Sequence, residues 1–138
     1  MTIVVGFTPS GQGMAALAAA VREARRSRDA LVIASHTYHH PEHGPAVAGE
    51  EETRSALAEV GGEDVDWSLR RSGDQEDVGE FLLSAAAESS ARLLVIGLRR
   101  KSPIGKLNLG AAARRVVLGA ETPVLAVKDE TPSGALAS

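Results

Sequence analysis

Apolar residues along the chain fall into short unbroken runs, separated by longer stretches in which they recur every three to four positions. Thr2 to Phe7 is almost continuously apolar, as expected of a strand covered on both faces. A turn containing Pro9, Gly11 and Gly13 follows, and Ser10 is placed to cap the Ala-rich run Met14 to Ser27. That run predicts a first helix ending near Arg28. Ala30 to His36 predicts a second strand, and Thr37 to Ala46, polar and interrupted by prolines, is expected to be an irregular loop. Leu57 and Val60 stand at helical spacing among the charges of Glu50 to Val60, an exposed second helix stopped by Gly61 and Gly62. Val65, Trp67 and Leu69 alternate with Asp66, Ser68 and Arg70, the period of a half-buried third strand at the edge of a sheet.

Gly73 and Asp74 are expected to open a third helix, whose apolar positions are Val78, Phe81, Leu82 and Ala85. Leu93 to Ile96 is the fourth strand, Gly97 to Leu109 a basic irregular segment, and Gly110 the start of a short fourth helix. Pro123 to Val127 is the fifth strand. Residues 1–128 therefore read as one domain, and 129–138, which lack an apolar pattern, as a disordered tail. Strands separated by helices imply an α/β fold: a parallel sheet with helices on both faces. Ligands of such sheets bind beyond the C-terminal ends of the strands, where Phe7 to Gly13, His36 to Gly44 and Gly97 to Ala112 converge.

Composition narrows this picture. A chain of 138 residues suits one domain, and its single Trp, single Tyr and two Phe leave the core to aliphatic side chains. The absence of cysteine excludes disulfides, thiolate catalysis and cysteine-ligated metal. An N-terminus that reads as a strand, with no long apolar run anywhere, leads us to expect a cytoplasmic protein without a signal peptide or membrane span. The net charge of −3 conceals an asymmetry. Glu42 to Glu80 carries twelve acidic and three basic residues, whereas Ala91 to Gly119 carries seven basic residues and no acid. The basic block suits phosphates, or the acidic segment, or solvent; the acidic total argues against a nucleic-acid binder.

The segment Val95 to Lys128, VIGLRRKSPIGKLNLGAAARRVVLGAETPVLAVK, closely resembles the C-terminal third of the universal stress protein family. The likeness extends through IVVGFTPSGQGMAAL near the start, Gly73 and Asp74, and the closing PVLAV. It implies a three-layer, doubly wound, five-stranded parallel sheet of strand order 3-2-1-4-5, of the adenine nucleotide alpha hydrolase-like class. It also implies an adenine nucleotide, ATP, as ligand and a homodimer formed through the fifth strand. The family's ATP-binding pattern is G-x2-G-x9-G-[ST], in which glycine backbone and a helix N-terminus cradle phosphates. Gly97 and Gly110 match its first and last glycines at the right spacing, while Arg100 replaces the middle glycine and Ala111 the hydroxyl residue. At the end of the first strand, where nucleotide-binding relatives carry an Asp, this chain has Thr8 followed by Pro9. By this resemblance the phosphates lie against Gly97, Arg99, Arg100, Gly105, Gly110, Ala111 and Ala112, and the base lies near Thr8, Pro9 and His36. The substituted cations offer phosphate a different hold from the glycine cradle.

Rival motifs fail on their letters. A P-loop would use Gly105 and Lys106, but Arg100 stands at its first glycine and Leu107 at its hydroxyl. Gly11, Gly13 and Ala16 imitate a dinucleotide fingerprint, yet the second strand ends in Ser35 and His36, with no acid for a ribose. A helix-capping turn accounts for those glycines better. All four histidines, His36, His39, His40 and His43, fall within eight residues with Glu42 among them, but no recognisable metal spacing completes the set, and no metal is expected. No nucleophile elbow or carboxylate–histidine pairing suggests catalysis. The expected function is therefore non-enzymatic: a stress-response protein that binds an adenine nucleotide. The alternative is a nucleotide-free interaction module of the same fold.

Overall fold

The computed structural model describes residues 1–73, 75–99 and 110–129. Its elements are β1 (Thr2–Phe7), α1 (Gly11–Ser27), β2 (Ala30–Ser35), β3 (Tyr38–His40), β4 (Gly44–Ala46), α2 (Glu50–Glu59), β5 (Trp67–Arg71), α3 (Val78–Glu88), β6 (Leu93–Leu98), α4 (Ala111–Gly119) and β7 (Val124–Lys128). Five strands form one sheet in the order β5-β2-β1-β6-β7, with every pairing parallel. Setting aside the short β3 and β4, this is the expected order 3-2-1-4-5.

β1 is central because both its faces are apolar. Ile3, Val5 and Phe7 pack with Leu17, Ala20 and Val21 of α1 and Leu57 of α2, while Val4 packs on the opposite side with Phe81, Leu82 and Ala85 of α3 and Val116 of α4. The helices thus cover the sheet in pairs, α1 with α2 and α3 with α4. Burying a side chain of this size contributes about 1.5–3 kcal/mol, so β1 links the two halves of the core.

The connections carry their own polar locks. Ser10 accepts the Gly13 N–H at 3.2 Å and caps α1, as its position implied. At the other end Arg28 adopts a left-handed conformation, φ 58°, and its N–H reaches the Ala24 carbonyl. Below the sheet, Asp29 is held by the Arg92 guanidinium and by the Met1 amine at 3.2 Å, joining the starts of β1, β2 and β6. The Arg92 hydrogen bond holds the Asp29 carboxyl below the usual carboxylate range; the N-terminal amine acts in the same sense, and partial desolvation opposes them.

Three expectations are corrected. The segment expected to be an irregular loop contains an antiparallel hairpin, β3–β4, pairing Tyr38 with Ala46, His39 with Pro45 and His40 with Gly44. Gly44, at φ 73°, supplies the left-handed turn residue, and a two-stranded ribbon has open edges toward which a proline lacking N–H can face. α3 begins at Val78, after the expected Gly73–Asp74, because Asp77 accepts the Glu80 N–H at 2.9 Å and becomes the cap. Gly73 belongs to the preceding turn, its N–H bonded to Glu76 at 3.0 Å; Asp74 lies outside the described residues. β6 runs two residues past Ile96, carrying Gly97 and Leu98 into the sheet beside Val127 and Lys128. Of the expected tail, only Asp129 is described, its N–H bonded to the Leu98 carbonyl at 3.2 Å.

Candidate functional site

A cleft of about 450 Å³ opens at the C-terminal ends of β1, β2 and β6. Gly6, His36, Val78, Leu82 and Ile96 line its largely apolar part. Gln12, Gly97, Leu98 and Arg99 come from the junction of α1 with β6, and Gly110 to Ala113 from the start of α4.

Local sequence explains this arrangement. Gly97 lies so close to α1 that a Cβ built there would stand 2.1 Å from the Gln12 carbonyl oxygen; at Gly13 it would stand 1.9 Å from the Thr8 carbonyl oxygen. Only glycine allows strand and helix to meet this closely. Gly110 caps α4 with its backbone and has no side-chain cap bond, so the first-turn N–H groups of α4 lack helical acceptors where they border the cleft. Such a terminus favours an anion, through both the N–H groups and the helix dipole.

His36 directly follows β2 and lines the cleft beside Gly6 and Leu82. It is half-buried, its Nδ1 donates to the Thr37 carbonyl at 3.2 Å, and burial pushes its pKa below the ordinary histidine value, with the hydrogen bond opposing in part. The imidazole is therefore neutral at pH 7.

Of the candidate ligand contacts, His36, Gly97, Arg99, Gly110, Ala111 and Ala112 meet in this cleft. Thr8 is buried, its hydroxyl 2.7 Å from Ser10 Oγ, and Pro9 is exposed; neither is among the described residues lining the cleft. The Thr8 hydroxyl thus serves the α1 capping turn. Arg100 and Gly105 lie outside the described residues. Gln12 was missed as a site residue, although a polar residue between two glycines at the start of an Ala-rich helix is a visible signal. Gly6, Val78, Leu82 and Ile96 read only as strand or helix packing positions.

A larger groove, about 920 Å³, lies between α3 and α4. Arg115 is paired there with Glu80 and lies 3.9 Å from Asp77. With Arg92 committed to Asp29, two of the four described bases of the basic block, Arg92, Arg99, Arg114 and Arg115, are paired with acids. The smaller cleft joins the start of α4, Gly110 to Ala113, to an apolar wall formed by Val78, Leu82 and Ile96. The histidine hairpin brings ligand atoms of His40, Glu42 and His43 within 4.8 Å of one another. Yet His40 Nδ1 already accepts the N–H groups of Glu42 at 3.0 Å and His43 at 3.3 Å, which puts the imidazole proton on Nε2 and closes the hairpin tip. His40 would have to give up these bonds to ligate a metal.

The model of the universal stress protein family matches residues 1–128. The chain belongs to the universal stress protein family. A universal stress protein from Mycolicibacterium smegmatis is 36% identical over 135 residues, 91% of this chain and 96% of that protein. Among solved structures, a universal stress protein from Archaeoglobus fulgidus is 25% identical with a TM-score of 0.71, covering 93% of this chain and 98% of its own. A universal stress protein crystallised in complex with cAMP is 24% identical with a TM-score of 0.67, covering 94% and 98%. Both chains share the fold described above. No helix among the described residues is long and apolar enough to cross a membrane.

Proposed function

We propose that this universal stress protein binds an adenine nucleotide, ATP by the family pattern, in the cleft between β1, β2, β6 and α4, and acts in a cytoplasmic stress response by binding, not by catalysis. The observation that carries this reading is the polarity of the cleft, apolar at Val78, Leu82 and Ile96 and lined at Gly110 to Ala112 by the N-terminus of α4. A planar base suits the first part and a phosphate the second. The relative that holds cAMP supports the same ligand class. Rapid purification followed by mass spectrometry of the released small molecules tests the proposal: a stoichiometric adenine nucleotide supports it, and a nucleotide-free protein that takes up none from millimolar ATP refutes it.

Two copies pair through β7 in this proposal. β7 lies at the sheet edge with Leu125 38% exposed, and Val117 and Leu118 of α4 are 45% and 79% exposed. Edge strands of this kind invite pairing. The rival reading, an interaction module that has lost nucleotide, draws on the Thr8 hydroxyl being committed to Ser10 and on the methyl group at Ala111. The same mass measurement separates the two.

A further inference from the structure

We propose that the tip of the β3–β4 hairpin binds one divalent cation of the zinc type through His40, Glu42 and His43, and that loading it releases the hydrogen bonds that close the tip. This inference is independent of the nucleotide reading.

Spacing alone names no metal site here; the hairpin supplies what spacing lacks. Pairing of His40 with Gly44 leaves only Pro41, Glu42 and His43 in the connection, and Gly44 at φ 73° turns the chain back. His40 lies over that connection, its Nδ1 accepting the N–H groups of Glu42 at 3.0 Å and His43 at 3.3 Å. The His40 and His43 ring centroids stand 4.5 Å apart with their planes inclined by 31°. One ligand atom from each ring and one Glu42 oxygen fall within 4.8 Å of one another. Tetrahedral zinc, with bonds of about 2.0–2.2 Å, sets its ligand atoms roughly 3.4 Å apart. Rotation of the exposed Glu42 and His43 side chains closes that difference. Two imidazoles and one carboxylate form the donor set of an open zinc site, whose fourth position falls to water at an exposed tip. The same set is poor for Mg²⁺ or Ca²⁺, which take oxygen ligands.

The tip bonds make loading visible. A metal on His40 Nδ1 displaces both N–H groups directly. A metal on Nε2 sends the ring proton to Nδ1, which then donates and can no longer accept. By either route the Glu42 and His43 N–H groups lose their shared acceptor, and breaking those two bonds weakens the site relative to a preformed one.

Calorimetric titration of the untagged chain with Zn²⁺ tests the assignment. It should give one saturable site per chain, undiminished by about tenfold excess Mg²⁺. His43→Ala and Glu42→Gln, both at exposed positions, should each weaken Zn²⁺ binding at least about tenfold, and either suffices should the other fail to fold. His39→Ala, which removes the neighbouring exposed histidine outside the trio, should leave the affinity within about twofold. The Glu42 and His43 amide resonances should move and saturate at the same stoichiometry. The assignment is overturned by the lack of a saturable site up to millimolar Zn²⁺, by a site as tight in His43→Ala as in the native chain, or by an equal loss in His39→Ala. Zn²⁺ binding that leaves the Glu42 and His43 amides unmoved overturns the release of the tip bonds.

Discussion

A Cβ at Gly97 would stand 2.1 Å from the carbonyl oxygen of Gln12. That contact joins the end of β6 to the first turn of α1 and forms one wall of the cleft, so fold and site share a single constraint. Gly97→Ala should therefore cost about 1–3 kcal/mol, the usual range for overpacking, and should displace the wall that a ligand touches. Urea denaturation measures the first effect. Nucleotide titration of the folded fraction measures the second.

The C-terminus of α1 offers the opposite opportunity. Arg28 is exposed and holds φ 58°, a conformation in which glycine carries no steric penalty. Arg28→Gly should stabilise the chain by about 1 kcal/mol, seen as a rise in Tm of a few degrees. A fall in Tm would show that the Arg28 side chain makes contacts worth more than the backbone strain.

The Asp29 cluster predicts a dependence on pH. The carboxyl is held below its ordinary range in the fold, so its ionised form stabilises the native state above the unfolded pKa of about 4. That stabilisation is lost as pH falls through the lower folded value. Asp29→Asn should lower Tm at pH 7 and flatten its decline between about pH 4 and pH 2. An equally steep decline in the variant would place the acid sensitivity elsewhere.

Self-association is tested at β7. Light scattering at micromolar concentration should give the mass of a dimer, and Leu125→Asp should weaken pairing at least about tenfold by placing a charge on the exposed edge strand. A native chain that scatters as a monomer removes the pairing claim.

The departures from the family's phosphate pattern predict weak binding and its repair. Arg100→Gly allows close backbone approach, and Ala111→Ser adds a hydroxyl at the first position of α4, so the double variant should bind ATP roughly tenfold more tightly, about 1.4 kcal/mol. Weaker binding by the variant, with the loss greatest at low salt, would identify Arg100 as a direct phosphate ligand.

Much of the architecture was legible because it rests on local pattern. The apolar run from Thr2 to Phe7 marks the central strand, Ser10 marks the α1 cap, and the alternation around Trp67 marks an edge. What escaped depends on pairing between residues whose letters say little alone. The hairpin hangs on Gly44 facing His40, and the start of α3 on Asp77 taking the Glu80 N–H, a bond Gly73 cannot supply. Thr8 is the clearest case at the site. Its hydroxyl is visible in the sequence, but its bond to Ser10 Oγ follows only from the fold of the turn. Gln12 likewise joins the cleft because Gly97, distant in sequence, admits α1 beside β6.

The central claim is that a nucleotide spans the cleft from His36 to the start of α4. Amide and imidazole resonances followed during titration with ATP test it most directly. The expected result is saturable shifts at Gly110 to Ala113, at Gly97 and at the His36 ring. Shifts confined to residues 39–44 of the histidine hairpin, or none at millimolar ATP, would contradict it.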